Sequence, residues 1–140
     1  MTGEFTVAVH GLVFLYHANR VVSSKALAEN ICTHPVRVRK VMARLSAVGL
    51  VHAREGRRES GYYSIEGGGQ ITLLAILDAL GETAVPALWR SGDSDCDCLL
   101  SSGMSAVMED LVRDMNERCR EKLAGITIGD LEERLLGRNV

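Results

Sequence analysis

Between Thr33 and Gly49 the chain reads THPVRVRKVMARLSAVG, and this stretch restricts the possible folds more than any other. It is a helix marked at both ends. Thr33 is a good N-cap, Pro35 sits in the first turn where a missing N–H costs nothing, and Gly49 is a natural stop. Val38, Val41, Met42 and Leu45 recur at the helical period, while Arg37, Arg39, Lys40 and Arg44 take the other side. Such a helix must bury one face and present the other.

Its neighbours say how. Residues 4–19 form a helix with Phe5, Val9, Leu12, Val13 and Tyr16 on one apolar face. Residues 24–31 form a short second helix, capped by Ser23 or Ser24, with Leu27, Ala28 and Ile31 inward. Only a short turn around Cys32 and Thr33 separates it from the basic helix. After Gly49, two β-prone runs at 50–54 and 62–65 flank a polar turn rich in Gly, Arg and Glu, a hairpin with a basic tip. GGGQ at 67–70 is a hinge, Thr72 caps a fourth helix, and 84–100 reads as irregular. A long helix follows from Met104, then a last helix opened by a capping-box-like Thr127 and Asp130. The expected fold is mainly α with a small β-hairpin wing: a winged helix-turn-helix domain plus a long C-terminal dimerisation helix. The expected division is 1–81 for the DNA-binding unit, 82–103 for a linker, and 104–140 for dimerisation.

Charge points the same way. Residues 33–58 carry seven basic residues and one acid, a local +6 in a chain of net charge −2, and a field of that kind attracts polyanions. In this motif the third helix enters the major groove with its N-terminal residues at base edges. The candidate contacts to double-stranded DNA are therefore Ser24, Thr33, His34, Val36, Arg37, Lys40 and Arg44, with Arg54, Arg57 and Arg58 on the wing. Arginine pairs bidentately with guanine, and lysine and arginine neutralise phosphate. No Gly-rich phosphate loop, H-E-x-x-H or G-x-S-x-G is present, so no enzyme is expected. Neither a signal-peptide layout nor an apolar run long enough to span a bilayer is seen, so the expected location is the cytoplasm, away from membranes.

The segment SSKALAENICTHPVRVRKVMARLSAVGLVHAREG, with GYYSI and ITLLAILDAL, resembles the Rrf2 family of bacterial winged-helix regulators. The family's wing pattern falls on Arg54, Gly56, Gly61, Tyr62, Tyr63 and Ile65, with Glu55 interrupting the Arg-Gly pair and Tyr62 in place of a second glycine. The resemblance extends over nearly the whole chain. It implies a transcriptional regulator, with repression the expected direction of control, and a homodimer. The stripe Met104, Val107, Met108, Leu111, Val112, Met115 and Cys119 supports the homodimer independently, being long for a domain this small. A winged-helix adaptor without DNA binding is the alternative, and a small-molecule sensor with a pocket beside Trp89 is another.

Many family members hold an iron–sulfur cluster through three cysteines between the fourth helix and the dimer helix. Here that interval holds only Cys96 and Cys98, with Cys119 well along the dimer helix. The expectation is no cofactor, with an iron–sulfur cluster or a zinc site as alternatives. A thiol switch fits the cysteines better. Cys98 precedes a helix start, which lowers a thiol pKa, whereas Cys96 lies between Asp95 and Asp97, which raise it. Cys32 lies beside the basic helix, so a disulfide from Cys98 to Cys32 of the other subunit would fix the spacing of the two DNA-reading helices. Reduced, idle thiols are the plain alternative, and Cys119 is expected to be buried and inert.

Overall fold

In the computed structural model, residues 1–55 and 61–137 are described. The order is α1 (Gly3–Ala18), β1 (Val22–Ser23), α2 (Ser24–Ile31), α3 (Pro35–Ala47), β2 (His52–Glu55), β3 (Gly61–Ser64), α4 (Leu73–Ala79), α5 (Leu99–Ala124) and α6 (Ile128–Gly137). The wing is a three-stranded antiparallel sheet ordered β1-β3-β2, with Val22 opposite Tyr63 and Arg54 opposite Tyr62. β1 went unread in the sequence because two residues are too few to show a period of two.

α3 obeys its pattern: Val38, Val41, Met42 and Leu45 are all buried. They meet Leu12 and Leu15 of α1, Leu27 of α2, Tyr63 of β3, Ile76 and Leu77 of α4 and Ile128 of α6 in one core. α1 departs from its expected face. It buries Val7, Ala8 and Leu15 beside Phe5 and Leu12, while Val9, Val13 and Tyr16 are only partly covered. The helix is apolar on nearly every side, so periodicity alone does not choose which stripe meets the core.

The α3 cap differs from the sequence expectation. The N-cap of α3 is His34, whose Nδ1 accepts the Val36 N–H at 3.2 Å, rather than Thr33. Pro35 then occupies the first helical position, which fixes the cap one residue later than a plain Ser/Thr reading gives. Ser23 caps α2 and Thr72 caps α4. Gly49 ends the α3 turn at φ +78°, a left-handed conformation that a side chain would strain. α5 starts at Leu99, five residues before the expected Met104.

α6 opens on a reciprocal box. Thr127 N–H donates to Asp130 Oδ2 at 2.9 Å, and Asp130 N–H donates to Thr127 Oγ1 at 3.1 Å. Hydrogen bonds from Leu73 N to Ile126 O and from Ile128 N to Ile71 O (both 2.9 Å) anchor this start to the hinge before α4. The Thr127 N–H, then its hydroxyl, and then Arg134 hold the Asp130 carboxyl below the usual aspartate range. A depressed folded-state pKa stabilises the fold above the unfolded aspartate value of about 4 and loses that effect as pH falls through the folded value. Asp130→Asn is expected to lower the unfolding midpoint in urea at pH 7, with the difference from wild type shrinking below pH ~4. A difference that does not change with pH contradicts this role.

Candidate nucleic-acid interface

The α2–α3 turn is set by Cys32, in the left-handed conformation at φ +63°, whose N–H bonds back to Ala28 O. The Thr33 N–H also donates to Ala28 O at 3.0 Å. The turn swings α3 across α2 with its basic side outward. His34, Val36, Arg37 and Lys40 are exposed along the first turns of α3, and Thr33 is half-buried. Val36 is 54% exposed, an apolar side chain held in solvent where a thymine methyl is one of the few partners DNA offers.

Two basic side chains are already engaged. Arg37 Nε donates to Glu4 Oε1 at 2.6 Å, with both side chains partly exposed. A solvent-facing pair of this kind is worth about 0–1 kcal/mol, so a phosphate or a guanine can outcompete Glu4. Arg44 Nη1 donates to the Leu80 carbonyl at 2.8 Å, closing the C-terminal end of α4. In this structure Arg44 ties α3 to α4.

Ser24 does not belong to the surface: it is 2% exposed and lies under the α2 start that Ser23 caps. On the wing, Arg54 is exposed next to the exposed Tyr62, whereas Arg57 and Arg58 lie outside the described residues. Tyr63 points inward, and burial raises its pKa against the opposing charge of Arg39. Arg39 therefore stands over the sheet, half-buried, between helix and wing.

The second region of interest is α5 with the chain that leads into it. Residues 85–98 run back along the helix. Val85 N–H donates to Asn116 Oδ1 (2.8 Å) and Asn116 Nδ2 returns a bond to Val85 O (3.0 Å). Arg90 pairs with Glu109 at 3.2 Å, and Asp93 N–H donates to Ser101 Oγ at 3.0 Å. Gly92, at φ +79°, lies against the Ser101 backbone, leaving no room for a Cβ. Trp89 is 87% exposed and lines neither of the two described cavities. A cavity of about 580 Å³ opens elsewhere, between α1 and α6, walled by Phe5, Val9, Val13, Leu131, Leu135 and Leu136. Sequence periodicity carried a hint of it, since α1 has more apolar surface than one core contact uses.

On α5, Met104, Val107 and Leu111 are exposed, Met108, Val112 and Met115 half-buried, and Leu123 alone is buried. Cys32, Cys96 and Cys98 are exposed free thiols, and Cys119 is half-buried rather than enclosed. Cys98 is the N-cap residue of α5. Its sulfur completes no capping hydrogen bond, but the N–H groups of Ser101 and, second, Leu100 lower its pKa. Cys119 lies roughly 30 Å of helical rise from Cys98, too far for the two to ligate one group within one chain. Among the described residues no group of three or more His, Cys, Asp or Glu side chains is placed to hold a metal ion. Nor is any described helix long and apolar enough to cross a membrane.

A family model described as Rrf2, iron-dependent transcriptional regulator, matches residues 1–134. No curated protein matches the sequence significantly. Among solved structures, a transcriptional regulator from Lactobacillus plantarum shares the fold with a TM-score of 0.79 at 23% identity, over 96% of this chain and 91% of that one. CymR, the global cysteine regulator of B. subtilis, has a TM-score of 0.66 at 18% identity, covering 96% of each chain. IscR of T. potens also reaches 0.66 at 18% identity, over 96% of this chain and 87% of its own. At such identities the likeness concerns the fold.

The environment of Cys98 has a direct chemical consequence. Alkylation of the Cys98 thiol by iodoacetamide, followed by peptide mass spectrometry across a pH series, is expected to show a midpoint below that of a cysteine in an unstructured peptide. Unfolding the protein in urea removes the helix start and should move the midpoint up. A midpoint unaffected by unfolding contradicts the assignment.

Proposed function

Because the chain belongs to the Rrf2 family of transcriptional regulators, we propose that it acts as a homodimer that binds double-stranded DNA sequence-specifically through α3 and the wing. The observation that carries this reading is the division of α3. Its underside is fully buried, while His34, Val36, Arg37 and Lys40 face solvent together, with Arg54 exposed on β2. In this reading Arg37 reads a base edge once released from Glu4, and Val36 supplies an apolar contact. Lys40 and Arg54 neutralise phosphates. Residues 1–81 form the DNA-binding unit, against which α6 packs, residues 82–98 lead into α5, and α5 is the dimerisation helix. The exposed α5 stripe is the dimer seam, so two copies of α3 face two half-sites of a pseudopalindrome.

The thiols supply the responsive element of the proposal. The Cys98 thiolate, exposed and favoured by the α5 start, attacks a peroxide, taking one oxygen as a sulfenic acid and releasing water or an alcohol. The Cys32 thiol of the second subunit then displaces hydroxide from that sulfur and closes a disulfide. The peroxide has taken up two electrons and the two thiols have given up two protons. Cys32 ends α2 at the turn into α3, so the link would fix the spacing of the reading helices.

Selection from a random duplex library, followed by fluorescence anisotropy across a salt series, tests the function. A selected motif is expected, with log affinity falling linearly in log salt. Arg37→Ala should cost about 1–3 kcal/mol and relax one base position, whereas Lys40→Ala should weaken all sequences alike and reduce the salt slope by about one. Failure of the reduced protein to bind any duplex at low salt overturns the reading.

A further inference from the structure

His34 is exposed, yet its backbone and one side of its ring are already committed. Pro35 restricts the residue before it to extended backbone, and the His34 φ of −81° and ψ of 139° are those an N-cap needs. The His34 carbonyl accepts the Arg37 and Val38 N–H groups at 3.0 and 3.3 Å. Its ring Nδ1 accepts the Val36 N–H at 3.2 Å.

The cap decides what the rest of the ring can do. A backbone N–H only donates, so Nδ1 must offer a lone pair. A neutral imidazole with an unprotonated Nδ1 carries its proton on Nε2. The ring edge left over from capping therefore holds a donor and no acceptor. The residue bound by the same hydrogen bond is Val36, whose aliphatic side chain is 54% exposed. The start of α3 thus presents a donor of fixed tautomer with an apolar group two residues along.

The four bases differ in how well their major-groove edges match that pair. Cytosine offers a donor, and adenine an acceptor beside a donor. Guanine offers two acceptors and no apolar group. Thymine alone sets an acceptor, O4, beside a methyl group. We propose that His34 and Val36 read one thymine together, with Nε2–H donating to O4 and the Val36 methyls covering the C5-methyl. This recognition rests on DNA binding through α3 and deepens it, by specifying a base and the two side chains that choose it.

A cycle of protein and base changes tests it. In a duplex selected by the wild type, each thymine of a half-site is replaced in turn by deoxyuridine, which lacks the methyl, and by 4-thiothymidine, whose sulfur is a poor acceptor. One thymine per half-site is expected to respond to both changes, each weakening binding about fourfold, the order of one methyl contact or one neutral hydrogen bond. Val36→Ala should remove the response to deoxyuridine at that position and keep the response to 4-thiothymidine. His34→Ser keeps a capping oxygen and loses the outward donor, so it should do the reverse with the unfolding midpoint nearly unchanged. In the free protein above neutral pH, two-bond proton–nitrogen spectra should show His34 protonated on Nε2 alone. A His34 proton on Nδ1, no thymine that responds to both changes, or a variant that keeps the response it should lose overturns the pairing with thymine. A wild type that selects no motif overturns instead the DNA binding on which it rests.

Discussion

Everything that presents the basic face depends on the burial of four side chains beneath α3. Val38, Val41, Met42 and Leu45 lock the helix onto α1, α2, α4 and the wing strand β2. A tightly packed core resists small shifts, because moving any of these side chains opens a void or forces a clash. The helix is thereby held from below, and its outward residues need no support of their own. α1 lies against α3 on one side and α6 on the other. Arg44 ties the C-terminal half of α3 to the end of α4, while Arg37 makes a weak, displaceable pair with Glu4 at the start of α1.

The C-terminal half follows the opposite logic. α5 is the longest helix described, yet it buries a single residue, Leu123, at its junction with the lobe. Its polar contacts go to its own chain: the Val85–Asn116 pair, Arg90 with Glu109, and Arg120 with Asp78 at the end of α4. These fix how α5 leaves the lobe and how residues 85–98 lie along it. They leave Trp89, Leu99, Leu100 and Val107 facing water. Isolated apolar side chains on a surface are ordinary; a row of them along one long helix marks a surface made for a partner. The lobe buries its own apolar residues, whereas α5 keeps Leu99, Leu100, Val107 and Leu111 exposed.

The elements that were legible in the sequence are those whose residues carry two independent signals. α3 had a period and both end markers, and α6 had its reciprocal Thr127–Asp130 cap. The wing strands showed only as β-prone runs flanking a polar turn, and their ends moved by one or two residues. What stayed hidden depends on contacts between distant residues. The sequence does not show that Arg44 caps α4 through Leu80, that Ser24 is covered while Ser23 caps, or that Val9 and Val13 line a cavity. α1 is apolar enough to pack on several sides, and only the position of α6 decides among them. The stripe on α5 was readable, but its tip was not, because residues 99–103 carry too few apolar side chains to show a period. Cys98 was readable as a thiol just before a helix start, and at the α5 N-cap the N–H groups of Ser101 and Leu100 lower its pKa.

The division between a lobe that buries its apolar residues and an α5 that exposes them is measured most directly by hydrogen–deuterium exchange as a function of protein concentration. Amides of α3 should be strongly protected at every concentration, because their exchange requires the core to open. Amides from Leu99 to Met115 should exchange fast in dilute protein and become protected as concentration rises. Protection of α5 that is already full in the monomer, or α3 protection that also rises with concentration, contradicts the account.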